Sequence, residues 1–374
     1  MRTTDILTLV KKYGTPLYLY DASLIAKRCR ELKRYLPEMD LFYACKANTN
    51  KEVMKLIVHE GYGIETVSPG EIAAARGAGV PVSKITFTCG SIDEEELVGV
   101  VKQGVRVHLD SLLQVEMFGK RFPGGAISVR LNQGIGAGHH SHVITGGPDS
   151  KFGIDIAQLK ELDRLVKKYR LRVVGLHQHI GSNILDAAMV AKAMRVLFDT
   201  AMAFPDLEHL DFGGGLGVPY KPGEPGLDLA ALGKKIAQLS KAFSKRYGRQ
   251  VAMSFEPGRY LVAEAGMLAV KVTDIKRNPT KTFIGVNSGF NHLIRPAMYG
   301  SYHEVVNITH PRGVFEKVTV AGNICESGDV FAKDRMIASA NIDDILIIKN
   351  AGAYGYTMSS DYNLRPRPRE VVIK

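Results

Sequence analysis

The chain has 374 residues, 45% of them hydrophobic and 23% charged, the balance of a folded protein of about two domains, which excludes disordered and collagen-like chains. Basic residues outnumber acidic ones 49 to 38, but they fall in helical segments such as 27–34 and 234–249 with no nucleic-acid signature. A solvated helix face or an anionic ligand accounts for them, and nucleic acid is not an expected partner. The four scattered cysteines argue against a disulfide framework or a zinc knuckle, no apolar run nears the roughly 18 residues of a membrane helix, and the first residues lack a signal-peptide core; the expected compartment is the cytoplasm.

Residues 16–20 read as a strand. From about residue 23 to about 260, helical and strand periodicities alternate. Helix 23–35 leads to strands 41–46 and 63–68. Helix 69–78, strand 84–90, helix 93–102 and strands 106–110 and 127–132 follow. Helix 156–169, strand 173–181, helix 187–204, strand 209–214, helix 227–247 and strand 252–257 complete the series. Eight strands alternating with helices predict an α/β fold, a (β/α)8 TIM-type barrel over 23–265, with a doubly wound open sheet as the alternative. Beyond residue 266, strands at 266–275, 281–287, 316–321 and 342–349 are joined by turn-rich segments. They predict an all-β C-terminal domain over 266–374, to which residues 1–22 contribute the strand at 16–20.

In barrel enzymes the chemistry gathers at the carboxyl ends of the strands. Those ends carry Lys46, Glu65, Asp110, Arg130, His179, a glycine triplet and Glu256. Lys46, at an inner rim, is either ion-paired or an amine fit for Schiff-base chemistry, and Cys45, on the opposite side of the strand, is a packed thiol. Gly213, Gly214 and Gly215 free the backbone to wrap N–H groups around an anion, without Walker or Rossmann spacing. Glu256-Pro257-Gly258-Arg259 sets a carboxylate and a guanidinium in one turn, suited to a ring nitrogen and an anion or to a simple ion pair. His177 and His179 lack a third ligand at metal spacing, so an imidazole stacked on a cofactor ring, with Ser182 near a phosphate, is the alternative to a metal. His139, His140 and His142 lie in a glycine-rich stretch, 134–147, that reads as a loop near the site; no metal is expected. Arg295 and Tyr299, four apart, suit a carboxylate. Cys325 beside Glu326 is a candidate acid or nucleophile, and Tyr354 lies in a further segment of this kind. A Schiff-base lysine, a glycine cluster for phosphate and an acid for a pyridine nitrogen together predict pyridoxal 5'-phosphate.

Through Tyr43-Ala44-Cys45-Lys46-Ala47-Asn48, His179-Ile180-Gly181-Ser182, the glycine triplet, the Glu256 turn, Cys325-Glu326-Ser327-Gly328-Asp329, Gly352-Ala353-Tyr354 and Ser359-Ser360-Asp361-Tyr362-Asn363, the sequence resembles the fold-type III pyridoxal-phosphate decarboxylases along nearly its whole length. The resemblance implies an alanine-racemase-like barrel and a homodimer with shared active sites. It further implies loss of CO2 from the D centre of meso-diaminopimelate to give L-lysine. Carried over by motif, Lys46 is the lysine that binds the cofactor and His179 the residue stacked on its ring. Ser182, Gly213, Gly214, Gly215, Glu256, Pro257, Gly258, Arg259 and Tyr354 match cofactor positions. Arg259, Arg295, Tyr299, Glu326 and Tyr354 match substrate positions, and Cys325, reaching in from the partner, matches the proton donor. Two departures stand out: Glu65 replaces the usual aspartate, and relatives continue beyond the point matching Lys374 into a basic segment and helix. The nearest rival is a fold-type III decarboxylase of D-ornithine, D-lysine, arginine or carboxynorspermidine. A pyridoxal-phosphate carrier without turnover is a further alternative, against which the strands beyond 266 count.

Overall fold

The computed structural model describes residues 2–138, 147 and 150–374. His139, His140 and His142 of the expected glycine-rich loop lie outside the described residues. The chain forms two compact units: one of Lys27–Val218 with Gly226–Gly258, the other of the residues up to Ala26, Pro219–Pro225 and Arg259–Lys374.

The first unit is a barrel. Asp40–Ala44, Gly63–Thr66, Ile85–Phe87, Arg106–Leu109, Ala126–Asn132, Arg172–His177, His209–Asp211 and Ala252–Phe255 run parallel to their neighbours. The last strand pairs with the first, which closes the ring of eight. Helices cover it, and many begin on a side-chain cap: Asn50, Ser68, Asp93, Ser111 and Asp228 each accept a backbone N–H of the first turn, which satisfies a donor that the helix itself leaves open. Helix Ala187–Ala201 buries Val190, Met194, Leu197 and Phe198, and Phe198 stacks at 4.5 Å on Phe243 of helix Leu229–Tyr247. Helices Lys51–His59 and Leu112–Arg121 add to the expected series.

Several strands stop earlier than their apolar runs suggest, at Ala44, His177, Asp211 and Phe255. The correction matters most at Lys46, which stands in a 3₁₀ turn, Cys45–Ala47, so strand alternation does not set its direction. Cys45 is fully buried, and burial pushes its thiol well up, as a packed cysteine requires. Inside the barrel, His108, Ser128, Gly175 and His209 share one level of the sheet register. Gly175 makes room for this level, because a Cβ there would stand 2.0 Å from His209 Nε2.

The second unit is a mixed sheet in the order Val305–Asn307, Ile345–Ile348, Gly266–Arg277, Thr282–Val286, Phe315–Ala321, Val330–Ala338. Leu17–Asp21 pairs antiparallel with Gly266–Arg277, Leu17 opposite Ala269, and parallel with Arg369–Ile373. Helix Thr3–Tyr13 sets Ile6 in one cluster with Leu17, Leu19, Ala269, Ile345 and Ile347. A short helix, Arg295–Tyr299, interrupts the strands. Among the described residues no helix is long and apolar enough to cross a membrane.

Candidate active site

Two groups of side chains carry chemistry, one in each unit. At the barrel rim, Lys46 Nζ lies 2.6 Å from Glu65 Oε2, with the lysine side chain 37% exposed and the glutamate 2%. Glu65 sits opposite Ala44 in the parallel register, which brings the carboxylate beside the turn that carries the lysine. Asp110 and Arg130, both buried, form a second pair at 3.1 Å, with the Arg130 guanidinium 4.7 Å from the Phe152 ring.

Glu256, just past the strand Ala252–Phe255, is buried. Its Oε2 lies 3.1 Å from His177 Nε2. Its Oε1 and His177 Nδ1 are buried without a hydrogen-bond partner. Burial and the Glu65 charge push the Glu256 carboxyl up to about 8, against the pull of Lys46 and Arg130. Burial, with Arg130 and Lys46 nearby, holds His177 well below the usual imidazole range, so it is neutral. The turn is tied back towards Lys46: Pro257 O accepts the Ala44 N–H at 3.2 Å, and Gly258 packs where a Cβ would meet Ala44 O at 3.1 Å.

The glycines act differently from the expectation of a ring of free donors. The Gly213 N–H donates to Asp211 Oδ1 at 2.8 Å and the Gly214 N–H to His179 Nδ1 at 3.1 Å, so both are already engaged. The Gly215 N–H has no partner among the described residues. What the run supplies is close approach: a Cβ on Gly213, at φ +66°, would stand 2.2 Å from Gln178 O, and one on Gly214 2.4 Å from Glu256 O. The bond to Gly214 makes His179 Nδ1 an acceptor and leaves its proton on Nε2. Burial lowers the His179 pKa well below the usual range, which makes the half-buried ring a flat, neutral surface. Ser182 lies in the short strand Gly181–Ser182.

These residues fit pyridoxal phosphate on the donor set alone. An amine with an acidic neighbour suits an aldehyde, and an orphaned buried carboxyl oxygen on Glu256 suits a protonated ring nitrogen. The neutral His179 ring supplies a face for stacking.

In the sheet unit Arg259, Arg295, Tyr299 and Tyr354 come together around a residue the sequence reading did not single out, Tyr220. Arg259 Nη1 donates to Tyr220 Oη at 2.6 Å, and its guanidinium lies 4.9 Å from the Tyr354 ring centroid. Arg295 lies 5.4 Å from the Tyr220 ring and 5.8 Å from that of Tyr299. Both arginines are buried. The Cys325–Glu326 pair stands apart from this group: both residues are exposed, the Cys325 N–H donates to Asn363 Oδ1 at 3.1 Å, and Glu326 accepts from Tyr362 Oη at 2.9 Å. Buried Asp329 braces their loop by accepting the N–H groups of Phe290 and Ile324.

Residues 22–263 match a family model described as pyridoxal-dependent decarboxylase, pyridoxal binding domain. The chain is 44% identical over 382 residues to a diaminopimelate decarboxylase of Methanothermobacter thermautotrophicus, a match covering 99% of this chain and 89% of the relative. A crystal structure of diaminopimelate decarboxylase superimposes with a TM-score of 0.92 at 33% identity, covering 99% of this chain and 91% of that one. The Helicobacter pylori diaminopimelate decarboxylase complexed with L-lysine gives 0.91 at 30% identity, over 99% and 94%.

Proposed function

The chain belongs to the diaminopimelate decarboxylases, within the pyridoxal-dependent decarboxylases, and from that membership and the two residue groups we infer how its side chains divide the work. The reaction is the carboxy-lyase step from meso-2,6-diaminopimelate to L-lysine and CO2, the last step of lysine biosynthesis, with pyridoxal 5'-phosphate as cofactor. The observation that carries the assignment of roles is the buried Glu256 oxygen without a partner, on the same barrel rim as an amine paired to Glu65.

Pyridoxal phosphate, when bound, supplies an electron sink for the pair left at Cα when the carboxylate departs. Lys46 is the amine that binds it, and Glu65, 2.6 Å away, is an acceptor for the proton its ammonium must lose. Glu256 meets the ring nitrogen with Oε1 while His177 holds Oε2. The neutral His179 ring lies against the cofactor ring, oriented by the Gly214 N–H. Ser182, the Gly215 N–H and the Pro257–Gly258 turn hold the phosphate end, and Tyr354 keeps the cofactor role its motif implies. Arg259, Arg295, Tyr299 and Tyr354 bind substrate, with Arg295 and Tyr299 at its distal carboxylate. A substrate without that carboxylate leaves a buried guanidinium unpaired, which disfavours ornithine or lysine.

Cys325 returns the proton to Cα and Glu326 meets the distal ammonium, in a homodimer where each chain lends this loop to its partner's site. The exposure of both residues, and contacts that reach only their own loop, Asn363 and Tyr362 among the described residues, support that assignment. The enzyme works in the cytoplasm. CO2 release by the purified protein with pyridoxal phosphate tests the reading, with meso-diaminopimelate offered beside D- and L-ornithine, lysine and arginine. Lysine formed from diaminopimelate alone is expected, and turnover of a basic amino acid alone overturns the substrate.

A further inference from the structure

We propose that Tyr220 is a positioning residue that holds Arg259 and Arg295 together as a single receptor for an anionic group of the substrate; this deepens, and rests on, the reading of those arginines as substrate-binding. Three observations carry it.

The first is charge. Arg295 is 1% exposed, its Nε is buried without a partner, and the one hydrogen bond of its guanidinium among the described residues goes to the neutral hydroxyl of Ser301, 3.2 Å from Nη2. Among the described residues, the neighbours that act on it include no carboxylate. Tyr220 and Tyr299 are phenols. His303 stands edge-on to the Tyr220 ring at 5.4 Å, and burial with the Arg295 charge lowers its pKa to about 3, so it too is neutral. The charged group felt most by Arg295 is Arg259, of the same sign. A buried guanidinium beside another, with only neutral groups to hold it, is an arrangement completed by an anion.

The second is geometry. Tyr220 touches both cations: its hydroxyl accepts from Arg259 at 2.6 Å, and its ring centroid lies 5.6 Å from the Arg259 guanidinium carbon and 5.4 Å from that of Arg295. The hydroxyl fixes the direction of one guanidinium, and the electron-rich face of the ring eases the approach of the second.

The third is the scaffold. Tyr220 sits in Pro219–Pro225, a seven-residue piece of the sheet unit inserted between two stretches of the barrel. One carboxylate, Glu224, accepts the N–H of Tyr220 at 2.8 Å and of Lys221 at 3.3 Å, and Asn350 Nδ2 donates to Pro219 O at 3.2 Å. The backbone carrying the phenol is therefore pinned from both sides.

The test uses holoenzyme carrying Tyr220→Phe, which keeps the ring and removes the hydroxyl, and Tyr220→Leu, which removes both. For Tyr220→Phe, KM for meso-diaminopimelate is expected to rise roughly tenfold, the loss of one hydrogen bond to a charged group, with kcat within about twofold. A readout independent of turnover is protection by pimelate, the seven-carbon dicarboxylate without amines. Pimelate should raise the melting temperature of the wild type, raise that of Tyr220→Phe less and leave that of Tyr220→Leu unchanged, whereas 1,5-diaminopentane, which has no carboxylate, should affect all three alike. A Tyr220→Phe enzyme with wild-type KM and full pimelate protection overturns the proposal. So does a lower unliganded melting temperature with KM unchanged, the mark of a merely structural residue, and so does a wild type that pimelate does not protect. Failure of the wild type to decarboxylate diaminopimelate sinks the substrate assignment instead, and the pimelate arm still judges the receptor.

Discussion

His177 Nε2 lies 3.1 Å from Glu256 Oε2, and the His177 ring stacks at 4.7 Å on His108, whose Nδ1 lies 2.7 Å from Ser128 Oγ. The carboxyl proposed to meet the cofactor's ring nitrogen is thus one member of a buried polar column. The imidazoles in it are kept neutral by burial, so the column positions Glu256 without adding a positive charge beneath it.

That burial predicts a pH dependence for the cofactor-free protein. Glu256 has a folded pKa raised to about 8, above its value in the unfolded chain. Between the usual carboxylate range and pH 8 the folded state therefore holds a proton that the unfolded state has released. This contribution to stability is fully present below the unfolded pKa and is lost as pH rises through about 8, with a slope of at most about 1.4 kcal/mol per pH unit. Urea unfolding of apoprotein at pH 5.5, 6.5 and 7.5 reads it as a difference between two proteins: the buried neutral histidines add an opposite slope to both, and Glu256→Gln should make the slope more positive than the wild type's by up to about 1.4 kcal/mol per pH unit. Parallel lines for the two proteins would mean Glu256 is ionised in the fold.

Lys46→Ala should lose the visible absorption of lysine-bound cofactor and cut turnover by roughly 10³-fold or more. A variant that keeps both the band and the activity removes Lys46 from the centre of the mechanism.

Cys325→Ala should bind cofactor normally and form lysine far more slowly. Mixing it with Lys46→Ala tests the shared site directly, since statistical re-pairing in a two-fold dimer puts both intact residues at about a quarter of the sites. Recovery to that level is the expected result. No recovery in a mixture proven to exchange subunits would place each thiol in its own chain's site, and an unimpaired Cys325→Ala would hand the proton to another group, Tyr354 first.

Gly213→Ala carries two penalties, a positive φ and a Cβ 2.2 Å from Gln178 O. A destabilisation of about 1–3 kcal/mol is expected, together with weaker cofactor retention, because the His179 segment must move to relieve the clash. Thermal melting and cofactor loss on dialysis measure the two effects; wild-type values for both would make the close packing here unimportant.

The barrel and its rim were legible because apolar runs of strand length recur between amphipathic helices, and because the polar residues end those runs. Periodicity cannot see where a run leaves the sheet, and so it set Lys46 on a strand instead of in the Cys45–Ala47 turn. It also cannot tell a free backbone donor from an engaged one, which is why Gly213 and Gly214 read as anion ligands although their N–H groups are taken by Asp211 and His179. His108 and His209 were visible as polar residues inside strands, but their meaning depends on register, which aligns them across Ser128 and Gly175. Tyr220 follows the glycine run by a few residues with no motif of its own. Only the fold joins it to Arg259, 39 positions on.

The Pro219–Pro225 insertion has a consequence for inheritance. Because the sheet unit is assembled from three separate stretches of chain, no single crossover exchanges it whole. A chimera joined near residue 259 would set one parent's Arg259 and Arg295 against the other parent's Tyr220. The phenol and the two guanidiniums should therefore pass from ancestor to descendant as a set, and functional hybrids of distant homologues should be those that transplant the short insertion along with the stretch Arg259–Lys374.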